Sequence, residues 1–317
     1  MSLTEAQRAV RCSFLGGTDM AALAGVSRWA TPLSVFEDKR PDLAPEKPNR
    51  ENAQMRLGSL FEGAVADLFT EETGIKLRRR SKPVRCRDHS WEGGHLDRIA
   101  DDPGWVYEGK WSMGKKEWDS EAGPVIPRGY MVQCQWYLHI TGSPYGHLGV
   151  LLGYGEFRKY RFERDEPLIE TLVQIGDAFW HDHVLPGIPP EVDGSEDWGR
   201  RLRDLHPQDD GSEVVATAYQ QNLLAALRYQ QNTLAEAQAE VETTKQKVME
   251  SMAEATRMVA PMGTVTWKTN KPGFKVDWEA IARDLAGDSI GGWIQLNGKS
   301  TSPARPFRID WKGEEDE

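Results

Sequence analysis

The chain is poor in several things, and each shortage removes a class of protein. It has three cysteines, Cys12, Cys86 and Cys134, far apart and odd in number. That argues against a disulfide framework and against a zinc or iron–sulfur centre built on thiolates alone; the three are expected to be buried or incidental. No apolar run approaches the roughly 18 residues needed to cross a bilayer. Met1-Ser2-Leu3-Thr4-Glu5 lacks the basic and apolar regions of a secretion signal, so a cytoplasmic location with no membrane partner is expected. Positive charge is also short, the net charge being −10, which at first reads against a polyanionic partner.

The distribution of charge reverses that impression. Residues 1–140 hold 20 Lys and Arg against 20 Asp and Glu, whereas residues 141–317 hold 19 against 29. In the neutral half, Lys76 to Arg87 carries seven basic residues in twelve and no acid. A run of this kind is either a solvated face or a stripe that neutralises phosphates. Arg78, Arg79 and Arg80 are its centre.

Periodicity gives an α+β front part. A short helix is expected over Thr18 to Ala24, with Thr18 as N-cap and Gly25 as stop, and a longer one over 53–72, ended by Gly74. Strands are expected near 83–88, 94–100 and 105–111, then a helix near 128–140, a strand from Gly146 to Gly153 with Arg158 to Phe162 beside it, and a helix from Glu166 to His183. Leu185-Pro186-Gly187-Ile188-Pro189-Pro190 reads as a boundary, giving a first domain over 1–190, a linker over 191–212 and an extension over 213–317. In that extension Leu227, Leu234, Val241, Val248 and Ala255 recur every seven residues, but Gln230, Ala237, Thr244 and Ser251 between them leave only a narrow seam. A long helix or helical hairpin follows from this, then strands at Thr264–Lys268 and Phe307–Lys312 around a helix near Asp277–Leu285, and an acidic tail.

The chemistry is concentrated in one stretch. Gly94-His95-Leu96-Asp97 is followed by the turn Asp101-Asp102-Pro103-Gly104 and by Glu108-Gly109-Lys110. If the arms pair symmetrically about that turn, Asp97 lies opposite Glu108, with Lys110 two residues on along the same face. Like charges opposed on a sheet are unfavourable, so the pair is either solvated or holds a divalent cation between its oxygens. Asp, then Glu-x-Lys on the next strand, is the arrangement expected for metal-assisted phosphodiester hydrolysis. Glu62, on the helix over 53–72, is either a third ligand or an exposed helix carboxylate.

Taken in order, Gly58-x-x-x-Glu62, Gly94-His95-Leu96-Asp97, Glu108-x-Lys110, and Tyr130-Met131-Val132-Gln133-Cys134-Gln135-Trp136-Tyr137-Leu138 before Thr141-Gly142 resemble the YqaJ-like viral recombinase family, which belongs with the lambda-type exonucleases of the PD-(D/E)xK superfamily. The resemblance runs from about Arg11 to about Pro190. It implies an α+β, restriction-endonuclease-like core with a central mixed sheet flanked by helices, extended at the C-terminus by the long helix and a small α/β part. It further implies a Mg²⁺- or Mn²⁺-dependent deoxyribonuclease of phage-type recombination, a 5′-to-3′ exonuclease on linear duplex DNA, in a bacterial or phage-infected cell. Metal ligands would be Glu62, Asp97, Glu108 and the Gly109 carbonyl, with Lys110 supporting the water nucleophile and Gln135 completing the site.

Double-stranded DNA ends are the implied substrate, a single-strand annealing protein the partner and a homo-oligomer the assembly. Arg11 and Thr18, around Phe14-Leu15-Gly16-Gly17, match the family's first motif and suit a terminal 5′-phosphate, with Asp19 a flaw if turned inward; a purely capping Thr18 is the other reading. Ser27, Arg28 and Trp29 form a loop able to meet bases, although most of the twelve tryptophans are expected in the core. A structure-selective or restriction-type endonuclease and a non-catalytic DNA-end-binding scaffold are the alternative functions. His181-Asp182-His183 reads as a surface pair rather than a metal site, since i and i+2 on a helix do not face each other.

Overall fold

A computed structural model describes residues 10–44, 53–80, 82–101, 104–153, 155–270, 277–286 and 289–297. Asp102 and Pro103 of the expected turn, the strand expected at Phe307–Lys312, the acidic tail and Met1–Glu5 lie outside the described residues. The chain forms two compact units, Met1–His206 and Pro207–Glu317.

The first unit is built on a five-stranded sheet in the order β1-β4-β5-β8-β9: β1 Leu77–Arg79, β4 Arg98–Ala100, β5 Val106–Ser112, β8 Tyr145–Leu152 and β9 Glu156–Glu163. Only the β5–β8 pairing is parallel, because helix α4 (Arg128–Thr141) intervenes between them and crosses over the sheet. This is the expected central mixed sheet of an α+β core flanked by helices. Strand β1 falls inside the basic stripe, where charge hid the strand pattern; as an edge strand it can keep its arginines in solvent. The segments expected as strands near 83–88 and 94 form instead a separate ribbon, β2 (Val84–Arg85) with β3 (Gly93–Gly94), and β6 (Asp119–Ser120) pairs with β7 (Gly123–Pro124) in another.

Helix α1 spans Gly17–Leu23 and starts one residue earlier than expected, with Gly16 rather than Thr18 at the cap. Asp19, in its first turn, takes the Gly16 N–H at 2.8 Å. Gly25 stops the helix at φ +69°. Helices α2 (Pro32–Lys39) and α3 (Ala53–Thr73) follow. Helix α5 (Glu166–Phe179) continues as a π-helical turn, Trp180–Val184, in which His181 and His183 turn to the separate local carbonyls of Asp177 and Ile188. Residues 191–212, read from sequence as a linker, contain helix α6 (Glu196–Leu205). It is held to α2 by Arg201 Nη1 and the buried Glu37 at 3.1 Å, and by the Thr31 hydroxyl donating to Asp197 at 2.7 Å.

The core lies between the sheet and the helices, with Leu15, Leu33, Phe36, Trp118, Trp136, Leu138, Leu148 and Val150 among its most buried members. Trp136 does more than fill it. Its indole N–H is shared between the carbonyls of Leu15 (3.1 Å) and Gly93 (2.9 Å), tying the segment before α1 and the β2–β3 ribbon to α4.

The second unit holds α7 (Ala218–Met252), a hairpin of β10 (Arg257–Ala260) and β11 (Gly263–Thr266), and helices α8 (Trp278–Ala286) and α9 (Ile290–Asn297). The long helix is one piece, and Leu234 and Val241 of its seam are exposed. No helix among the described residues is long and apolar enough to cross a membrane.

Trp136→Phe should lower the stability of the first unit by about 2–4 kcal/mol, because the Leu15 and Gly93 carbonyls each lose the indole donor and a cavity opens. A urea unfolding midpoint equal to that of the wild type would show that the Leu15–Gly93 junction is not fastened in this way.

Candidate active site

Alternation along β5 divides its side chains between the two faces of the sheet. Tyr107 and Trp111 face α3: the Tyr107 hydroxyl donates to the Val65 carbonyl at 3.1 Å and Trp111 stacks on Phe61 with centroids 5.4 Å apart. Glu108 and Lys110 face α4. The β4–β5 pairs Arg98 with Tyr107 and Ile99 with Val106, continued by one residue, set Asp97 across from Glu108, the register expected from the turn. The Gly109 N–H donates to Asp97 Oδ2 at 2.9 Å. Glu62 approaches from α3 and is held by Arg98 Nη1 at 2.9 Å, while the same nitrogen donates to the Asp97 carbonyl at 2.8 Å.

Glu108 is 3% exposed. Its Oε1 accepts from Lys110 Nζ at 2.5 Å and from Gln133 Nε2 at 2.6 Å. Its Oε2 is fully buried with no hydrogen-bond partner. Burial and the neighbouring Asp97 push the Glu108 carboxyl up to about 8. Burial also raises Asp97, with Glu62 adding to the effect and Lys110 opposing it. Burial alone would lower the Lys110 ammonium, but Glu108 and Asp97 outweigh it and hold the group above its ordinary value. Lys110 also lies over the Tyr130 ring, 5.2 Å from its centroid.

Carboxylates forced together, raised by one another and leaving a buried oxygen unserved, call for positive charge. The donor set is all oxygen, the preference of hard cations such as Mg²⁺. Glu62, Asp97 and Glu108 are therefore the residues that could hold one.

Gln135 is not part of this group, contrary to the expectation from sequence. Its amide donates to the Glu163 carbonyl at 2.7 Å and its oxygen accepts from Asp165 N–H at 3.0 Å, fastening the end of β9 to α5. Two residues apart on a helix point to different sides, so only one glutamine of Gln133-Cys134-Gln135 can face β5, and it is Gln133. Its amide is also 2.9 Å from the Tyr137 hydroxyl, a pairing legible in sequence as an i, i+4 spacing. Arg98 was missed altogether, since nothing in the sequence shows that it reaches Glu62.

Beside Gln133 opens a cavity of about 230 Å³ whose lining includes Thr18, Ser27, Arg28, Trp29, Arg128 and Gln133. The loop expected to meet DNA thus adjoins the carboxylate site. Trp29 is 75% exposed, and Arg28 is paired with Glu117. Arg11 does not line this cavity. The segment after it, Phe14-Leu15-Gly16, is held against the ribbon by Leu15 N–H to Trp91 O (2.7 Å) and Gly93 N–H to Leu15 O (3.1 Å), and the Arg11 carbonyl accepts from Lys39 Nζ at 3.1 Å. Asp19 does turn inward, but buried Lys39, unforeseen from sequence, neutralises it at 2.6 Å.

The basic stripe is divided. Arg78, Arg79 and Arg80 are exposed at or beside the edge strand, with Arg78 paired to Asp101. Arg85 is structural instead: it donates to Ser13 O (2.8 Å) and Ser90 O (2.7 Å) and covers the Phe14 ring.

A carboxyl raised by folding carries a signature in stability. A free glutamate titrates near 4.5, so between about 4.5 and about 8 the folded chain retains a proton that the unfolded chain has lost, and stability falls as pH rises through that window. Thermal melts in chelator should show Tm declining across it, with the slope reduced in Glu108→Gln. An equal slope in the variant would assign the dependence to another group.

Residues 8–144 match the model of the YqaJ-like viral recombinase domain. The chain is 27% identical over 246 residues to the uncharacterized protein YqaJ of Bacillus subtilis (strain 168), an alignment covering 76% of each. Among solved structures it is similar to an alkaline exonuclease (LHK-Exo) from Laribacter hongkongensis, at 17% identity with 64% of this chain and 100% of that chain covered and a TM-score of 0.46. It is also similar to a phage related exonuclease from Haemophilus somnus 129PT, at 11% identity with 61% and 96% covered and a TM-score of 0.37. The matched span begins before Arg11 and ends beyond Tyr137, so that every residue of the carboxylate site falls inside the part of the chain that is similar to the YqaJ-like viral recombinase domain.

Proposed function

We propose that the chain is a metal-dependent deoxyribonuclease, a 5′-to-3′ exonuclease on linear duplex DNA in phage-type recombination. The observation that carries this reading is the Asp97–Glu108–Lys110 grouping, with Glu62 beside it and Glu108 Oε2 buried and unpartnered. Glu62, Asp97, Glu108 and the Gly109 carbonyl would hold the cation. When bound, Mg²⁺ or Mn²⁺ supplies Lewis-acid polarisation of the scissile phosphodiester. Lys110, kept protonated by Glu108 and Asp97, orients the attacking water and offers positive charge to the developing phosphorane. It does not act as the base. Gln133 holds Glu108 in place and, through Tyr137, ties that carboxylate to α4. Exposed Arg78, Arg79 and Arg80 supply contacts to the DNA backbone that are indifferent to sequence. The family resemblance adds a homo-oligomeric assembly and a single-strand annealing protein as partner.

Asp97→Ala and Glu108→Ala should remain folded and lose at least about 10²-fold in cleavage rate. Chelator should abolish wild-type cleavage, and added Mg²⁺ or Mn²⁺ should restore it. Digestion of 5′-labelled and 3′-labelled linear duplex beside a closed circle reads out the reaction. Nicking of the circle would make the enzyme an endonuclease, and end-binding without cleavage would make it a scaffold.

The cavity beside Gln133 is assigned to the terminal 5′-phosphate, with Thr18, Ser27 and Arg28 around it and Trp29 against the end base pair. Wild type should therefore degrade 5′-phosphorylated ends faster than 5′-hydroxyl ends, and Arg28→Ala should lose that preference while Arg11→Ala keeps it. Equal rates of the wild type on both ends would remove the assignment.

A further inference from the structure

Away from the carboxylate site, the β2–β3 ribbon and the C-terminal end of α4 bring together Cys86, Glu92 and His139. One donor atom from each lies within 4.8 Å of the other two. His139 Nε2 is 2.7 Å from Glu92 Oε2. Glu92 is 0% exposed, and its other oxygen, Oε1, is fully buried and accepts no hydrogen bond. A carboxylate buried with one oxygen unserved is costly. None of the three serves the nuclease chemistry proposed above.

The donor set differs in kind from the first site. Glu62, Asp97 and Glu108 offer oxygen alone, whereas sulfur, imidazole nitrogen and one carboxylate oxygen together are the ligands of zinc. The shortage of cysteine rules out a centre made of thiolates only, not one that uses a single thiolate. His139 keeps 18% of its side-chain surface, which leaves an ion a way in.

We infer that Cys86, Glu92 and His139 form a second metal site, selective for a borderline-soft divalent cation such as Zn²⁺, which staples the β2–β3 ribbon to α4. Three protein donors leave one tetrahedral position for a water. Binding displaces the Cys86 thiol proton, which passes to solvent. The ribbon runs from Gly94 to Asp97 in three residues, so the staple steadies the chain that delivers one of the catalytic carboxylates.

The test is a Co²⁺ titration of the full chain after chelator treatment, because a sulfur-to-cobalt charge-transfer band reports thiolate ligation and carboxylate sites give none. Wild type and Asp97→Asn should both develop the band, excess Zn²⁺ should remove it and excess Mg²⁺ should not. Cys86→Ser should lose it, and His139→Gln should need at least about tenfold more Co²⁺ to reach it. Zn²⁺ should raise Tm in the wild type and leave Cys86→Ser unchanged. Absence of the band in the wild type, its persistence in Cys86→Ser, or its removal by Mg²⁺ would each overturn the site.

Discussion

The constraint on which the first unit turns is electrostatic: Asp97 and Glu108 are held across two paired strands, in a place where neither carboxylate is comfortable. The sheet register leaves them no escape, because moving either by one residue would reverse every side chain on its strand and expose the core. Their repulsion is offset by Lys110 from within β5 and by Gln133 from α4. It is not fully relieved, and the buried, unserved oxygen of Glu108 is the residue of that conflict. On the function proposed above, that cost is what a bound cation would relieve.

The surrounding architecture can be read as support for that arrangement. The crossover of α4 makes β5 and β8 parallel and carries Tyr130, Gln133 and Tyr137 over the face of β5 that bears Glu108 and Lys110. On the other face Tyr107 and Trp111 lock α3 in place, and α3 brings Glu62. Trp136, one residue past Gln135 on α4, reaches the opposite way to hold the entrance to α1 and the ribbon that leads to Asp97. One helix thus positions the site from two sides.

Where sequence and structure part, the divergence is instructive. Asp97, Glu108 and Lys110 were legible because a two-residue period and a strong turn are local properties, and their register in the sheet agrees with the expectation. The helix bearing Glu62 was legible from its apolar period, but not its contact with Arg98. Gln133 and Gln135 cannot be told apart from sequence, which shows two glutamines on one helix without showing which side of that helix meets β5. Arg11 and Thr18, seven residues apart, are joined in the expectation from sequence, but Thr18 lines the cavity beside Gln133 and Arg11 does not. The stripe from Lys76 to Arg87 looked uniform as charge, yet it divides into exposed arginines on an edge strand and an Arg85 that braces backbone carbonyls.

What the sequence determined by itself is therefore what neighbouring residues dictate to one another: helices from a period near four, strands from a period of two, the hairpin, and the pairing of acids across it. What only the tertiary structure decided is which distant side chains meet. Lys39 against Asp19, Arg98 against Glu62, Gln133 against Glu108, and Cys86 with Glu92 and His139 all join elements whose separation in the chain carries no information about their separation in space. That is settled by which apolar faces pack together, and burial then fixes the charge state of the groups caught between them.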